Sequence, residues 1–429
     1  MVDRNRIFAF GLLAGALLAS FGFLTSQSML GPLLQQSLLT PEEQMLGSVH
    51  QHLTEQYVEP RSAEALLHTA VQGMVKGLDD PYSQFLGPDS LARFEEDSSG
   101  TLIGIGIIMF RSGQIHYPLV NGPAERAGIR PGDQILSIDG IPLAEIPSPD
   151  RIMAIKGLEG TQVSLLLQRL DGSKFRADVR RTPISNRTVG KIGLLDVENG
   201  IGTLLVRSFA KSTPSELDSA LKALLARGMK ALVLDLRFNT GGLLDAAVAV
   251  AGHFVRGGVI CTLLGRNGDR RVRKADPSNY IGVELPITIL MNEFSASGSE
   301  VVAGCLRDRG AAVLVGNKSF GKGVFQKVQQ YPDGHFVLKY TAGYFLTPSG
   351  RILEGNIKSN MSGGLEPDLR TPSPSNLGAL RIWLATELPP DKYLKQTAQL
   401  FPNLATRLPP EDLAKDAAVE LLRLSLASQ

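Results

Sequence analysis

The sequence predicts a mixed α/β protein, in which a layered α/β core carries an inserted β-rich domain and has helical segments at both ends. Strands alternate with helices from Gly190 onward, which is typical of an α/β layered core. Short strands and turns fill residues 100–181, whereas apolar residues recur at helical spacing within residues 40–94 and again after Asn376. The chain has 45 glycines in 429 residues, which favours a loop-rich fold over a helical bundle.

These patterns divide the chain into five parts. The expected parts are a targeting or anchor segment over 1–30, a helical segment over 40–95, a β-rich domain over 98–182, the α/β core over 186–372 and a helical tail over 373–429. The first helix is expected to start with Thr40 as N-cap and Pro41 at its first position, and to stop at Gly77. The tail carries no motif that indicates a function.

Two hairpins are expected within these parts. Asp139 and Gly140 are typical of a tight hairpin turn in the β-rich domain. In the α/β core, strands over 324–330 and 336–345 are expected around a turn over 332–334.

The N-terminus has the composition of a targeting segment. Arg4 and Arg6 precede residues 7–24, a stretch of eighteen residues without a charge. That length is just sufficient to span a membrane, and no clean small-x-small cleavage site follows it, because Phe21 and Phe23 interrupt the best candidate near Ala19 and Ser20. We therefore expect an uncleaved anchor in a membrane, with the rest of the chain outside the cytoplasm. The alternative, a buried core helix, is disfavoured by the basic flank and the terminal position.

Charge and cysteine content exclude several classes of function. The formal net charge is +2, from 44 basic and 42 acidic residues without a long run of one sign, so nucleic acid is not expected as a partner. Cys261 and Cys305 lie outside any CxxC or His cluster, so no metal site is expected. Both are interpreted as small buried residues. A single disulfide between them is the alternative in an oxidising compartment.

The segment 292–300, NEFSASGSE, joins an apolar strand to a predicted helix. A serine at such a turn, Ser297, has its hydroxyl near unpaired N–H groups of the helix, where the helix dipole favours developing negative charge. This place suits a nucleophile whose carbonyl substrate becomes an oxyanion. The alternative is structural, because Ser297 and Glu300 also fit a capping box in which Ser297 only caps the helix.

A lysine is the candidate base. None of the six histidines lies in a glycine-framed loop beside a serine, so no His-centred site is expected; they are His50, His52, His68, His116, His253 and His335. Lys322 lies between Gly321 and Gly323, where burial would lower the pKa of its amine. A neutral amine can take a proton from a serine. Gln326 is expected on the same strand face as Lys322 and could hold the amine in place. The alternative is a solvated loop lysine.

The segment 235–242, DLRFNTGG, is the third candidate feature. A buried strand ends in the pair Gly241 and Gly242, which opens a helix, and backbone N–H groups at such a turn can point at an oxyanion or a phosphate. The phosphate interpretation is disfavoured because the segment is neither a Walker loop nor GxGxxG. A plain tight turn between strand and helix remains the structural alternative.

Together, these three segments resemble the C-terminal processing peptidases, or tail-specific proteases, whose serine lies in a SASASE-like segment and whose lysine lies in FGKG. Ser297 and Lys322 are 25 residues apart, which is similar to the family's spacing. The resemblance implies a peptidase core of the ClpP/crotonase-like type. It implies these roles: nucleophile for Ser297, general base for Lys322, orienter of the base for Gln326, and an oxyanion hole from the amides of Gly298 and of Gly241 or Gly242. Gly298 stands where the family usually has alanine, so a looser turn is expected there.

The resemblance extends over about residues 40–372 and includes a PDZ-like domain. Residues 123–139 match PAxxAGIxxGDxIxxID, and residues 156–163 match KGxxGTxV. The residues that resemble a PDZ carboxylate-binding loop are Ile103, Gly104, Ile105, Gly106 and Ile107. In this mode an extended peptide adds to a sheet edge and backbone amides capture its terminal carboxylate. The alternative is a small β-module that only packs against the core.

The sequence therefore predicts a serine endopeptidase, periplasmic or otherwise extracytoplasmic and anchored to the inner membrane, which binds protein substrates near their C-termini. No metal or organic cofactor is implied. The helical ends resemble dimerisation elements of some family members, which makes a homodimer an expectation. One alternative is a non-catalytic PDZ scaffold that binds protein tails. Another, a crotonase-like acyl-CoA enzyme, is disfavoured by the export segment and the PDZ-like insert.

Overall fold

The computed structural model describes residues 39–87, 99–148, 150–331, 336–355, 363–385, 389–402 and 411–428. The chain separates into two compact units, Met1–Phe85 and Leu86–Gln429. The predicted membrane anchor over 1–30 lies outside the described residues. In the part of the chain that the structure describes, no helix is both long enough and apolar enough to cross a membrane.

The described residues of the first unit include two helices, α1 (Pro41–Gln56) and α2 (Ala63–Lys76). Thr40 caps α1 as predicted, since its hydroxyl accepts the Glu43 N–H at 3.3 Å and the Glu43 carboxylate accepts the Thr40 N–H at 2.7 Å. The helical pattern is interrupted between the two helices, because Pro60 disfavours helical backbone in the residue before it. Neither helix has a buried residue, so both present apolar side chains to solvent. The short strand β1 (Gln84–Leu86) follows.

The PDZ-like domain is built from short antiparallel strands. Its elements are β2 (Thr101–Gly104), β3 (Ile107–Met109), β4 (Ile115–Pro118), α3 (Pro123–Arg126), β5 (Gln134–Ile138), β6 (Ile141–Pro142), α4 (Arg151–Ile155), β7 (Gln162–Gln168), β8 (Lys174–Arg180) and β9 (Thr182–Ser185). Strand β2 pairs with β9, β3 pairs with β4, and the order β6-β5-β7-β8 forms a four-stranded sheet. Asp139 and Gly140 both have positive φ, as the predicted hairpin turn requires. Ile115, Ile135 and Leu165 lie in a core of its own.

The α/β core is a six-stranded sheet between helices. Its strands are β10 (Val189–Asp196), β11 (Ile201–Val206), β12 (Ala231–Asp235), β15 (Ile287–Met291), β16 (Val313–Gly316) and β19 (Leu369–Arg370), in the order β10-β11-β12-β15-β16-β19. The first pair is antiparallel and the others are parallel. Its central helices are α5 (Thr213–Ala226), α6 (Leu244–Gly252) and α7 (Gly298–Asp308). These helices share the largest hydrophobic core with the sheet, so the predicted α/β layering is observed.

A second, antiparallel sheet stands beside this core. Its strands pair in the order β17-β18-β13-β14, and they are β13 (Val259–Gly265), β14 (Arg270–Lys274), β17 (Val324–Gln330) and β18 (Val337–Leu346). The predicted strand over 324–330 is observed with the same bounds. The predicted turn over 332–334 lies outside the described residues. Strand β14 was not predicted, because four of its five residues are basic and the segment has no alternation of apolar and polar residues.

In the described part of the tail, the helices are α8 (Leu377–Ala385), α9 (Asp391–Leu400) and α10 (Leu413–Ala427). Helix α10 buries Ala414, Ala418 and Leu422 against core residues of the six-stranded sheet that include Val233 and Leu290. Side chains alternate across a strand, so these sheet residues face away from the core shared with α5 to α7. The motif-free tail therefore completes the layering of the α/β core.

The two cysteines are buried free thiols rather than a disulfide. Cys261 lies in β13 and Cys305 in α7. Burial raises the pKa of each thiol to about 12. A thiol with so high a pKa is mostly protonated at neutral pH and reacts slowly.

Candidate active site

The candidate nucleophile lies at a strained turn between β15 and α7. Ser297 is the N-cap residue of α7, and its backbone has φ 54° and ψ −111°. An ordinary N-cap serine has an extended backbone, so capping alone does not explain this conformation. Sparsely populated backbone conformations of this kind cost about 1–3 kcal/mol and cluster at functional sites. The Ser297 side chain is half-buried.

A buried carboxylate joins the nucleophile turn to the lysine loop. Glu300 is 1% exposed. Its Oε2 accepts the Ser297 N–H at 2.8 Å and the Lys322 N–H at 2.9 Å. Its Oε1 accepts the Ser319 hydroxyl at 2.5 Å and the Gly321 N–H at 2.7 Å. The backbone nitrogens of Ser297 and Lys322 therefore both lie within hydrogen-bond distance of the same carboxylate oxygen.

The protonation of Glu300 is set by two opposing effects. Burial raises the pKa of the Glu300 carboxyl above its ordinary value, although the four hydrogen bonds that it accepts act in the opposite direction. All four partners are donors, which only the ionised carboxylate can satisfy on both oxygens. The sequence indicates Glu300 only as part of a helix cap. Three of its donors come from around position 320, and the sequence carries no signal for that contact.

The lysine loop is closely enclosed by backbone, as the flanking glycines predict. A Cβ at Gly323 would lie 2.1 Å from the Glu354 nitrogen, so no side chain fits there. The Gly323 N–H donates to the Glu354 carboxylate at 2.7 Å. Lys322 itself is half-buried, between neighbours that are fully buried. The loop is thus fixed by one carboxylate on each side of Lys322.

Gln326 lies near this loop, but it does not share a strand face with Lys322 as predicted. Strand β17 begins at Val324, so Lys322 precedes the strand and does not share its pleat. The hydrogen bond to Glu300 holds Lys322 in the loop instead. Within the described residues, the buried Nε2 of Gln326 has no hydrogen-bond partner. Buried donors are seldom left unpaired, so this amide is a candidate for interaction with a reacting group.

The glycine loop after β12 reaches the nucleophile turn. A Cβ at Gly241 would lie 2.7 Å from the Ser297 Cβ and 3.0 Å from the Gly298 nitrogen. The loop is also tied to the turn by a hydrogen bond from the Ala296 N–H to the Asn239 carbonyl oxygen at 3.0 Å. The three segments that the sequence singled out are therefore in contact with one another.

The structure distinguishes among the expected oxyanion donors. The Gly241 N–H donates to the Asn239 side-chain oxygen at 2.8 Å, so that amide is already engaged. Among the residues that the structure describes, the amides of Gly242 and Gly298 have no hydrogen-bond acceptor. These two backbone donors are the ones that remain for an oxyanion. The role of Asn239 carried no sequence signal, since its side chain acts on a backbone group two residues away.

The turn at Gly298 is tight rather than loose. A Cβ at this position would lie 2.8 Å from the Phe209 Cδ2 and 3.3 Å from the Ala247 Cβ. Phe209 is 1% exposed and cannot move into solvent. Glycine is therefore required by close packing, which corrects the expectation of a looser turn.

We expect Gly298→Ala to lower the free energy of unfolding by about 1–3 kcal/mol, because the added methyl overpacks the core against Phe209. Gly378→Ala in α8 is the matched control, since a Cβ there would have no atom closer than 3.7 Å. This control substitution should be neutral or slightly stabilising. Urea denaturation of both variants checks the difference. Equal unfolding midpoints would contradict the close packing at Gly298.

The PDZ-like loop between β2 and β3 directs its carbonyls into the domain. The Ile105 carbonyl oxygen accepts the Ala124 N–H at 3.0 Å, and the Gly106 carbonyl oxygen accepts the Leu119 N–H at 2.9 Å. In a trans peptide the following N–H points the opposite way. The amides of Gly106 and Ile107 therefore point away from Ala124 and Leu119 respectively, which is compatible with carboxylate capture. Ile103 and Gly104 belong to β2.

Comparisons with known proteins identify the family and the domains of the chain. Residues 200–371 match the model of peptidase family S41, residues 115–169 match a PDZ domain, and residues 34–90 match the activating protease CtpB N-terminal domain. A probable CtpA-like serine protease of Staphylococcus haemolyticus is 33% identical over 375 residues, which are 85% of this chain and 72% of that protein. The chain belongs to peptidase family S41. The predicted family and the serine peptidase class are confirmed.

Further relatives of the S41 chain are similar over most of its length. A probable CtpA-like serine protease of Staphylococcus saprophyticus is 33% identical, over 78% of this chain and 66% of that protein. One from Staphylococcus aureus strain N315 is 34% identical, over 77% of this chain and 64% of that protein. Among solved structures, the photosystem II D1 C-terminal processing protease matches with a TM-score of 0.45 and 26% identity, over 78% of this chain and 94% of that chain. The helices and strands of the described residues confirm the predicted mixed α/β class, and the similarity to CtpA-like serine proteases does not favour the scaffold alternative.

Proposed function

We propose that this S41 peptidase is an endopeptidase in which Ser297 is the nucleophile, Lys322 is its general base and Gln326 orients the base. One observation carries the proposal: a single oxygen of Glu300 accepts the backbone N–H groups of both Ser297 and Lys322. Two loops that are 25 residues apart in sequence are thereby held side by side. The strained backbone of Ser297 and the unpaired amide of Gln326 support the same assignment.

The proposed reaction begins with an uncharged Lys322 amine. The amine takes the hydroxyl proton of Ser297 as the oxygen attacks the peptide carbonyl, and the resulting ammonium later returns that proton to the leaving amine. The amides of Gly242 and Gly298 would stabilise the oxyanion of the tetrahedral intermediate. Water would then hydrolyse the acyl-enzyme, with Lys322 again accepting a proton.

The PDZ-like domain is proposed to bind protein substrates near their C-termini. The amides of Gly106 and Ile107 would capture the terminal carboxylate, and the peptide would add as a strand beside β3. This role rests on the direction of two peptide groups in the loop. It would bring the substrate to the peptidase core without itself contributing to bond cleavage.

The location is proposed to be extracytoplasmic, with residues 7–24 as an anchor in the inner membrane. The basic pair Arg4 and Arg6 before an uncharged stretch supports this placement. A homodimer is proposed because α1 and α2 have no buried residue, and α1 exposes the apolar side chains of Met45, Val49 and Leu53. A second copy of the chain would cover these side chains.

Cleavage of a fluorescent unstructured substrate by the full-length chain in detergent micelles tests the proposed function. We expect the wild type to cleave the substrate and Ser297→Ala to leave it intact. A C-terminal amide on the substrate should raise KM about tenfold or more, because charge-assisted hydrogen bonds to the carboxylate are worth about 1.5–3 kcal/mol. Its kcat should change little, since this binding is shared by ground state and transition state.

Two outcomes would contradict parts of this proposal separately. Full cleavage by Ser297→Ala would exclude Ser297 as the nucleophile. Equal KM values for the acid and amide substrates would exclude carboxylate capture by the PDZ-like loop, while leaving the peptidase site intact.

A further inference from the structure

We propose that Asp412 is a positioning residue of the peptidase reaction, which acts through Arg237 to hold the loop 237–242 against the nucleophile turn. This inference rests on the proposed function, in which the Gly242 amide belongs to the oxyanion hole. Asp412 lies outside residues 200–371, the part of the chain that matches the S41 family model. The C-terminal tail would thus contribute to the geometry of the active site.

Asp412 and Asp235 hold the Arg237 guanidinium from two sides. Arg237 Nη1 and Nη2 donate to the two oxygens of Asp412 at 2.7 and 2.8 Å. Arg237 Nε and Nη2 donate to the two oxygens of Asp235 at 3.0 and 2.6 Å. Arg237 is 4% exposed and Asp412 is 2% exposed. Paired donors in this planar geometry fix direction as well as distance.

The residue after Arg237 is strained and is also held by the tail. Phe238 has φ 62°, which is an unusual conformation for a bulky side chain. Strain of this kind costs about 1–3 kcal/mol and persists only where the surroundings impose it. The Phe238 ring packs against the cluster that contains Leu380 and Leu384 of α8. The tail therefore holds two consecutive residues of the loop. Asp412 pairs with Arg237, and α8 packs against Phe238.

Asn239 connects Arg237 and Phe238 to the proposed oxyanion donors. Asn239 follows Phe238, and its side chain donates to the Val206 carbonyl oxygen at 2.9 Å and accepts the Gly241 N–H at 2.8 Å. Gly241 touches the Ser297 side chain, and Gly242 is next in sequence. A displacement of about 1 Å at a reacting group can cost about 100-fold in rate. Loosening Arg237 should therefore lower catalysis without unfolding the core.

The tail helix also docks through contacts that do not involve the Asp412 charge. Ala414, Ala418 and Leu422 of α10 are buried against the sheet, which is an apolar contact. Asp412 also caps α10, since its side chain accepts the Lys415 N–H at 3.2 Å. Asparagine keeps the cap and the size of the side chain, but it turns an NH₂ donor toward the guanidinium. Because Asp235 still pairs with Arg237, we expect Asp412→Asn to fold with a loosened loop.

The test compares the full-length wild type, Asp412→Asn and the control Asp416→Asn, whose carboxylate is in the first turn of the same helix. We expect Asp412→Asn to lower kcat about 10–100-fold and to leave KM within about threefold, because oxyanion stabilisation acts in the transition state. The affinity for a peptide aldehyde, whose adduct with Ser297 carries the oxyanion-like oxygen, should fall by the same factor. Asp416→Asn should match the wild type, and Asp412→Glu, which keeps the charge, should recover part of kcat.

Several results would overturn this inference. A folded Asp412→Asn with unchanged kcat would do so, as would a lower melting temperature with no loss of aldehyde affinity, which is the result of a purely structural role. If Asp412→Asn is unfolded, Asp412→Ser, which also keeps the cap, replaces it, and unfolding of both would disprove independent docking. A wild type that cleaves nothing contradicts the proposed function instead.

Discussion

Lys322→Cys should lower kcat for peptide cleavage by about 10⁴-fold or more at neutral pH. Removal of the base from a serine peptidase site leaves only binding and oxyanion stabilisation, which together account for a small residual rate. The substituted cysteine side chain is too short to place a basic group where the Lys322 amine ends. The rate of cleavage of a fluorogenic peptide, measured on the full-length chain, gives the effect directly.

Lys327→Cys is the matched control for this variant. Lys327 lies on β17, only five residues along the chain, and is exposed. Its replacement should leave kcat and the melting temperature unchanged. If Lys322→Cys retained a tenth of wild-type kcat, or if the two variants lost activity equally, Lys322 would not be the base.

Glu300→Gln should lower the free energy of unfolding by about 3 kcal/mol or more. It should also lower the rate of peptide cleavage by about 100-fold. The carboxylate satisfies two donors on each oxygen, among them the Ser297 and Lys322 amides. The NH₂ group of glutamine would face two of these four donors, and buried donors without an acceptor are costly. Loss of the shared acceptor should also let Ser297 and Lys322 move apart. Urea denaturation and peptide kinetics measure the two effects.

Glu354→Gln controls for the loss of a carboxylate beside the same loop. Glu354 accepts the Gly323 N–H with one oxygen and is half-buried, so an amide oxygen can take over that bond. We expect a smaller loss of stability than for Glu300→Gln. Wild-type activity in Glu300→Gln would show that the nucleophile turn and the lysine loop do not depend on their common acceptor.

Patterns in the sequence were sufficient to predict much of the fold. Alternating strands and helices predicted the layered core, because periodicity reports which face of each element is buried. Turn residues such as Asp139 and Gly140 predicted a hairpin that the structure shows. The strand β14 was missed, since its basic residues give no apolar periodicity. The segmentation of α1 and α2 was also missed, although Pro60 marks the interruption.

The candidate site was predictable in its residues but not in its connections. Ser297 and Lys322 stand in recognisable segments, whereas the carboxylate that joins them is visible only as part of a helix cap. The engagement of the Gly241 amide by Asn239 depends on side-chain geometry that no spacing encodes. Likewise, the pairing of Arg237 with Asp412 spans 175 residues and reaches into a tail without motifs. Contacts between segments that are distant in sequence depend on how the chain packs, and no pattern in a single sequence indicates them.

Chemical replacement of the Lys322 amine tests its role as a neutral base most directly. Treatment of Lys322→Cys with 2-bromoethylamine converts the cysteine into a lysine analogue whose amine is less basic because of its sulfur. Cys261 and Cys305 should not react, because both thiols are buried and have pKa values raised to about 12. The treated variant should regain cleavage, and its kcat should fall on acidification at a lower pH than that of the wild type, since protonation of a weaker base requires more acid. Absence of recovery, or a pH profile identical to that of the wild type, would contradict proton transfer from Ser297 to the amine at position 322.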